Sequence, residues 1–113
     1  MQRGEVWVAK LNPNRGREIG KIRPVLIIQT NGLTAIDGAP IVALPLTSQA
    51  YPSFRHWRVP IRARDRLLKD CSIAVDQPRV LDRSRFGEGP LTTLTTEEMA
   101  AVEKSLKAVL GML

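Results

Sequence analysis

Cysteine and histidine are almost missing from this chain: Cys71 and His56 are the only ones among 113 residues. A single thiol excludes an internal disulfide and a cysteine-built zinc site. A single imidazole excludes a multi-histidine metal centre, and any Ser–His–Asp relay would have to use His56. Aromatics are scarce as well, with two Trp, two Phe and one Tyr. No apolar run approaches the roughly 18 residues that cross a membrane. The first ten residues carry Arg3, Glu5 and Lys10 and lack the unbroken apolar stretch of a signal peptide. The expected compartment is the cytoplasm, with no membrane contact, no metal and no cofactor. Neither an internal repeat nor a low-complexity segment is present.

What remains is ordinary globular material. Apolar residues make up 43% and charged residues 25%, enough for a core and too apolar for disorder. The length predicts a single domain over residues 1–113. Lys and Arg number 17 against 11 Asp and Glu, a net +6 with a sequence pI near 10.3. Such an excess on a small domain favours a polyanionic partner.

Apolar patterning predicts a strand over Gly4–Leu11, buried on both sides, and another over Pro24–Gln29, with Pro24 at a tolerated first position. Asn31-Gly32 and Asp37-Gly38 read as turns between Thr30 and Pro40. Further strands are expected at Ile41–Leu46, Trp57–Ile61, Ser72–Val75 and Val80–Phe86, with a polar loop at Ser48–Arg55 and a turn at Leu67–Asp70. Thr95 and Glu98 form a capping box. Met99, Val102, Leu106, Val109, Leu110 and Leu113 then recur at helical spacing, with Glu103 and Lys107 as an i,i+4 pair on the other face. Short strands followed by one amphipathic helix make an α+β fold, mainly β: a small barrel or curled sheet. The helical segment carries Lys104 and Lys107 against Glu97, Glu98 and Glu103, so the chain's +6 is +7 outside it. A ligand site therefore belongs with the strands and loops.

Four segments carry candidate chemistry. The loop Asn14–Pro24 sets Arg15, Arg17, Lys21 and Arg23 around the single carboxylate of Glu18. Gly16 and Gly20 allow close backbone approach. Arg23 sits where loop meets strand, so its planar guanidinium can grip a phosphate from a rigid base, with Glu18 available to orient it. Thr47 and Ser48 place two hydroxyls at the end of an apolar strand. Asp76-Gln77-Pro78-Arg79 follows a short strand; Asp76 can hold an arginine, and Gln77 can read a base edge or steady a neighbour. The run Tyr51–Arg58 interleaves Phe54 and Trp57 with Arg55, His56 and Arg58, a pattern suited to stacking bases and holding phosphates. Trp57 is expected in the core. Arg62, Arg64, Arg66 and Lys69 read as a solvated or backbone-contacting face, and Cys71 as a small buried side chain.

Arg3–Val8, the run Asn12–Pro24, Pro45-Leu46-Thr47-Ser48, Ser72–Arg79 and the closing helix together resemble the MazF/PemK toxins, the ribonuclease halves of bacterial toxin–antitoxin pairs. The resemblance spans nearly the whole chain, and its long glycine, glutamate and arginine-proline run is specific. It implies an SH3-like or PemK-type curled β-barrel with a C-terminal amphipathic helix, acting as a homodimer. It implies metal-free cleavage of single-stranded RNA or mRNA at short sequences, with Arg23 and Thr47 at the two catalytic positions. Glu18, Ser48 and Gln77 match supporting positions. Arg15, Arg17, Lys21, Phe54, Arg55, His56, Asp76 and Arg79 are the expected RNA contacts. The cognate antitoxin is expected to bring an acidic, disordered segment that folds along the basic groove. The alternative is a non-enzymatic toxin of the same fold that binds a protein target, as the gyrase poisons do; a pure binder has no need of both Arg23 and Thr47. Pro78 and Cys71 depart from the family's pattern. The loops Thr34–Pro40 and Gln49–Arg58 are where variation selects the RNA sequence.

Overall fold

The computed structural model describes residues 1–112. Its strands are β1 (Glu5–Lys10), β2 (Ile22–Ile27), β3 (Ile41–Thr47), β4 (Arg58–Ile61), β5 (Cys71–Ala74), β6 (Arg79–Leu81) and β7 (Thr92–Thr93). A single helical turn, α1 (Asn31–Thr34), follows β2, and α2 (Thr96–Val109) closes the fold. All pairings are antiparallel, in the order β4-β5-β3-β2-β1-β7, with β6 also on β3.

The seven-residue β3 is the hub. One edge pairs with β2; the other is shared, with β6 on Ile41–Ala43 and β5 on Leu46 and Thr47. Pro45 falls between the two partners, where β6 has ended and β5 has not begun. A missing ladder N–H is tolerated at such a handover. The sheet therefore splits and curls at this point, and the curl carries Thr47 towards β4 and β5.

Side chains alternate between two apolar layers. Val6, Leu26, Leu44, Leu46, Ile73 and Val75 meet Met99 and Val102 of α2 in the larger core. Ala9, Leu11, Val25, Ala43 and Leu81 form the smaller one, under Ile19 and Phe86. The expectation that β1 is buried on both sides holds, because Val6 faces one layer and Ala9 the other. No helix among the described residues is long and apolar enough to cross a membrane.

Several sequence expectations are corrected. Asn31-Gly32 is not a turn between strands but opens α1, where the Thr30 carbonyl accepts from Leu33 and Thr34. The loop Ser48–Arg55 gives way to a 3₁₀ helix over Pro52–Trp57, entered through Pro52, whose fixed φ suits the first turn. The strand expected at Val80–Phe86 ends at Leu81, because Asp82 caps a 3₁₀ turn over Arg83–Arg85 by accepting from the Ser84 N–H at 2.9 Å. β7 was not foreseen, since two residues carry no periodicity. Trp57 is half-buried rather than a core residue.

The capping box is present: Thr95 Oγ1 accepts from Glu98 N at 3.1 Å, and Glu98 Oε1 from Thr95 N at 2.9 Å. Met99 and Val102 are buried, with Leu106 and Val109 packed beside them. Leu110, expected in the same stripe, is 54% exposed; the helix ends at Val109 and its C-cap turns away. Leu113 lies outside the described residues. Glu103 pairs with Arg3 at 2.7 Å rather than with Lys107, because β1's leading residues lie across that face of the helix. Arg64 is not a solvated cation. Its guanidinium forks onto both Glu98 oxygens at 2.6 and 2.7 Å, tying the β4–β5 connection to the start of α2. Arg66 pairs with Glu88.

Candidate active site

The β1–β2 loop is tied down from a distance. Gln77, between β5 and β6, accepts from Ile19 N at 2.8 Å and donates to Arg17 O at 3.1 Å. Arg79 donates from Nη1 to Leu11 O at 2.8 Å and to Ile19 O at 3.2 Å. Asn12 Oδ1 accepts from Lys21 N at 2.9 Å, which holds Lys21 at φ +68° in the left-handed region. The loop also folds on itself, with Arg15 N donating to Glu18 Oε1 at 2.6 Å. Gly16 takes a positive φ of 54°, whereas Gly20 is required for space: a Cβ there would collide with the side chains of Asn14 and Asn12.

Arg23 stands at the second position of β2, opposite Ala9. Its Nε donates to Gly20 O at 3.0 Å. Neither terminal nitrogen has a protein partner among the described residues, so the fork that grips a phosphate is open. The expected Glu18–Arg23 pair is absent there; the loop's own carbonyl orients the arginine, and Glu18 instead braces the loop backbone.

Thr47 ends β3, opposite Ser72 of β5. It is 4% exposed, and its Oγ1 accepts from Gln49 N at 3.1 Å, which leaves the hydroxyl proton to donate. Thr47, Gln49, Tyr51 and Arg58 form the wall common to two adjoining cavities. The smaller, about 460 Å³, is also lined by Arg17, Glu18, Lys21, Arg23, Phe54 and Gln77. The larger, about 650 Å³, takes in Ser48, Arg55, Arg62, Asp70, Cys71 and Ser72.

The structure thus gathers Glu18, Arg23, Thr47 and Gln77 around one cavity, with Arg17, Lys21 and Phe54. Ser48 and Arg55 line the neighbour. Four of the expected RNA contacts are elsewhere. Arg15 and His56 are exposed and line neither cavity. Arg79 is committed to backbone carbonyls. Asp76 is occupied by Arg58, whose Nη1 donates to its Oδ1 at 2.5 Å. Arg58 belongs to the aromatic run that the sequence suits to holding phosphates, but it is not among the expected RNA contacts of the resemblance, and neither is Gln49. The available signal for Arg58 was its position: it opens a strand immediately after the polar aromatic segment.

Burial raises the thiol pKa of Cys71, and Asp70 adds to the effect, so the thiol stays protonated at neutral pH. Among the described residues no three His, Cys, Asp or Glu side chains gather as they would around a metal ion. Cations outnumber the carboxylates of Glu18 and Asp70 at the cavity walls, and chemistry on a phosphodiester is what that excess suits.

Comparison with known proteins identifies relatives of this chain and of its fold. Residues 2–110 match the family model described as PemK-like, MazF-like toxin of type II toxin-antitoxin system. The chain is 35% identical to Endoribonuclease MazF of Staphylococcus saprophyticus, over 99% of this chain and 92% of that protein. Its fold is similar to that of MazF (Form-I) from Deinococcus radiodurans, with a TM-score of 0.82 and 28% identity over 99% of this chain and 97% of that one. MazE-MazF (Form-II) from the same organism gives a TM-score of 0.76 and 27% identity, covering 100% of this chain and 97% of that one.

Proposed function

The chain belongs to the PemK/MazF family of type II toxins, and on that premise we propose that it is an endoribonuclease that cuts single-stranded RNA through the cavity beside Arg23. The observation that carries this reading is Arg23 itself: strand-anchored, oriented by Gly20 O, with both terminal nitrogens open beside a buried threonine hydroxyl. A toxin that only bound a protein would have no use for that pairing.

In this reading the ribose 2′-oxygen attacks its own phosphate and gives up its proton to water. The bond from phosphorus to the 5′-oxygen breaks and that oxygen takes a proton from water, leaving 2′,3′-cyclic phosphate and 5′-hydroxyl ends. Negative charge builds on the phosphate oxygens in the transition state. Arg23 meets that charge with two hydrogen bonds, and Thr47 donates a third; interactions that strengthen only there raise the rate. A guanidinium holds its protons tightly, so Arg23 is placed as a charge stabiliser that donates hydrogen bonds to the phosphate and leaving oxygens. Glu18 and Gln77 keep the loop in position. Arg17, Lys21 and Arg55 attract the neighbouring phosphates, and Phe54 stacks a base.

The MazE-MazF structure from Deinococcus radiodurans supports a second assignment: a cognate antitoxin covers the cationic groove of this chain with an acidic segment. We further assign the chain, as one domain over residues 1–113, to a cytoplasmic homodimer.

The test uses a long single-stranded RNA in EDTA, with Arg23→Ala protein beside the wild type. Discrete fragments ending in cyclic phosphate, absent with Arg23→Ala, are expected. Intact RNA from folded, antitoxin-free wild type, across RNAs that cover the short sequence motifs, would reject the nuclease and favour a protein target.

A further inference from the structure

We propose that Arg58 is a substrate-binding residue that holds the phosphate adjoining the scissile one, where the chain of an RNA passes between the two cavities. The assignment rests on the ribonuclease reading above.

Arg58 opens β4 and lies on the wall common to both cavities. It is held on two sides. Nη1 donates to Asp76 Oδ1 at 2.5 Å, and Cζ lies 5.3 Å from the centre of the Phe54 ring. Its side chain is only 10% exposed, and that of Asp76 17%. Yet the bond to Asp76 is the only hydrogen bond its guanidinium makes among the described residues, and Nε is buried without a partner.

Arg83, Arg85 and Arg64 each make two or more hydrogen bonds. Arg83 donates to the carbonyls of Ala39, Thr34 and Ile36. Arg85 reaches those of Lys10 and Asn12, and Arg64 both oxygens of Glu98. Buried polar groups are normally satisfied, and a guanidinium carries five donors. An arginine kept this far from water, fixed by a carboxylate and an aromatic face, with Nη2 unused among the described residues and the residue lining both cavities, is set to receive an acceptor. Arg23, Lys21 and Arg17 already line the smaller cavity, so the acceptor that fits between the cavities is a second phosphodiester on the same strand. Asp76 then acts through Arg58, as a positioning residue rather than an RNA contact.

The experiment compares wild type with Arg58→Lys and with the double variant Arg58→Met, Asp76→Leu. The double variant removes the pair without stranding a buried charge, and thermal melts verify that each variant folds. Cleavage kinetics use an RNA containing the wild-type cleavage sequence. Affinity is measured on the same oligonucleotide with a 2′-O-methyl group at the attacked position. In the double variant KM and Kd should rise about tenfold, as loss of a charged hydrogen bond requires, with kcat little changed. The slope of log Kd against log salt should flatten by about 0.7, the value for one phosphate contact on a single strand. Arg58→Lys, which keeps charge without the planar fork, should lie between.

Unchanged KM and salt slope in the folded double variant would reduce Arg58–Asp76 to a structural ion pair and overturn the assignment. If the double variant does not fold, an Arg58→Lys protein with wild-type KM does the same. A loss confined to kcat would move Arg58 to the scissile phosphate and overturn its placement. Wild type that cuts no RNA removes the premise instead, and that failure is read on a different protein from the others.

Discussion

At the scale of single residues, Arg23 depends on Gly20. The carbonyl of Gly20 orients the guanidinium, and the absence of a Cβ lets Asn12 and Asn14 pack against the loop. Gly20→Ala should displace this corner and with it the arginine. The expected outcome is a fall in kcat of about tenfold or more, since misplacement by about 1 Å can cost a hundredfold, with a melting temperature lowered by only a few degrees. Steady-state cleavage and a thermal melt check both halves. Equal losses of folded protein and activity would sink the idea that Gly20 acts through Arg23. The sequence singled out Gly20 and Arg23, but gave the orienting role to Glu18. It could not see that a backbone carbonyl three residues away would take that role.

Among the elements, α2 was the most legible. Its start, its capping box and the stripe from Met99 to Val109 follow from helical periodicity, a local property. What periodicity could not reveal is that Glu98 has a second partner. Hydrogen bonds from Arg64 hold its carboxyl at about 2, well below the usual carboxylate range, with the Thr95 N–H assisting. A depressed folded-state pKa stabilises the protein above the ordinary value near 4.5, and that contribution is lost as pH falls towards 2. Because the pair is partly exposed, the contribution is discounted to on the order of 1–2 kcal/mol. Melting curves between pH 6 and pH 2.5 should therefore show wild type losing more stability than Glu98→Gln, with the two curves converging at the acid end. Parallel curves would show that the fork adds nothing to the folded state. Short elements were the least legible: β7, α1 and both 3₁₀ turns are too brief to display a period, and their ends are set by contacts such as Ser84 with Asp82 or Arg83 with Thr34.

For the whole molecule, charge sets the expectation. The +7 outside α2 includes Arg17, Lys21, Arg23, Arg55, Arg58 and Arg62 at the cavities, against Glu18 and Asp70, so substrate encounter should be strongly electrostatic. Raising monovalent salt from 50 to 200 mM should lower kcat/KM on single-stranded RNA on the order of tenfold, as the release of counterions from about three phosphate contacts predicts. Salt-independent cleavage would contradict a groove that tracks the backbone.

The resemblance to the MazF/PemK toxins grouped residues around Arg23 and Thr47, whereas composition and patterning by themselves determined the fold class, the closing helix and the basic character. These are properties of short windows, where local periodicity and residue chemistry decide. Tertiary structure decided which charges remain free. Arg79, Arg83, Arg85, Arg64 and Arg58 look alike in the sequence. Four of them are absorbed by carbonyls or carboxylates that lie distant in the chain and close in the fold. Arg58 is nearly buried, with donors left over among the described residues. That distinction arises only when β3 changes partner beside Pro45 and the sheet curls, because hydrogen-bond satisfaction depends on what lies within about 3 Å in space rather than on neighbours in sequence.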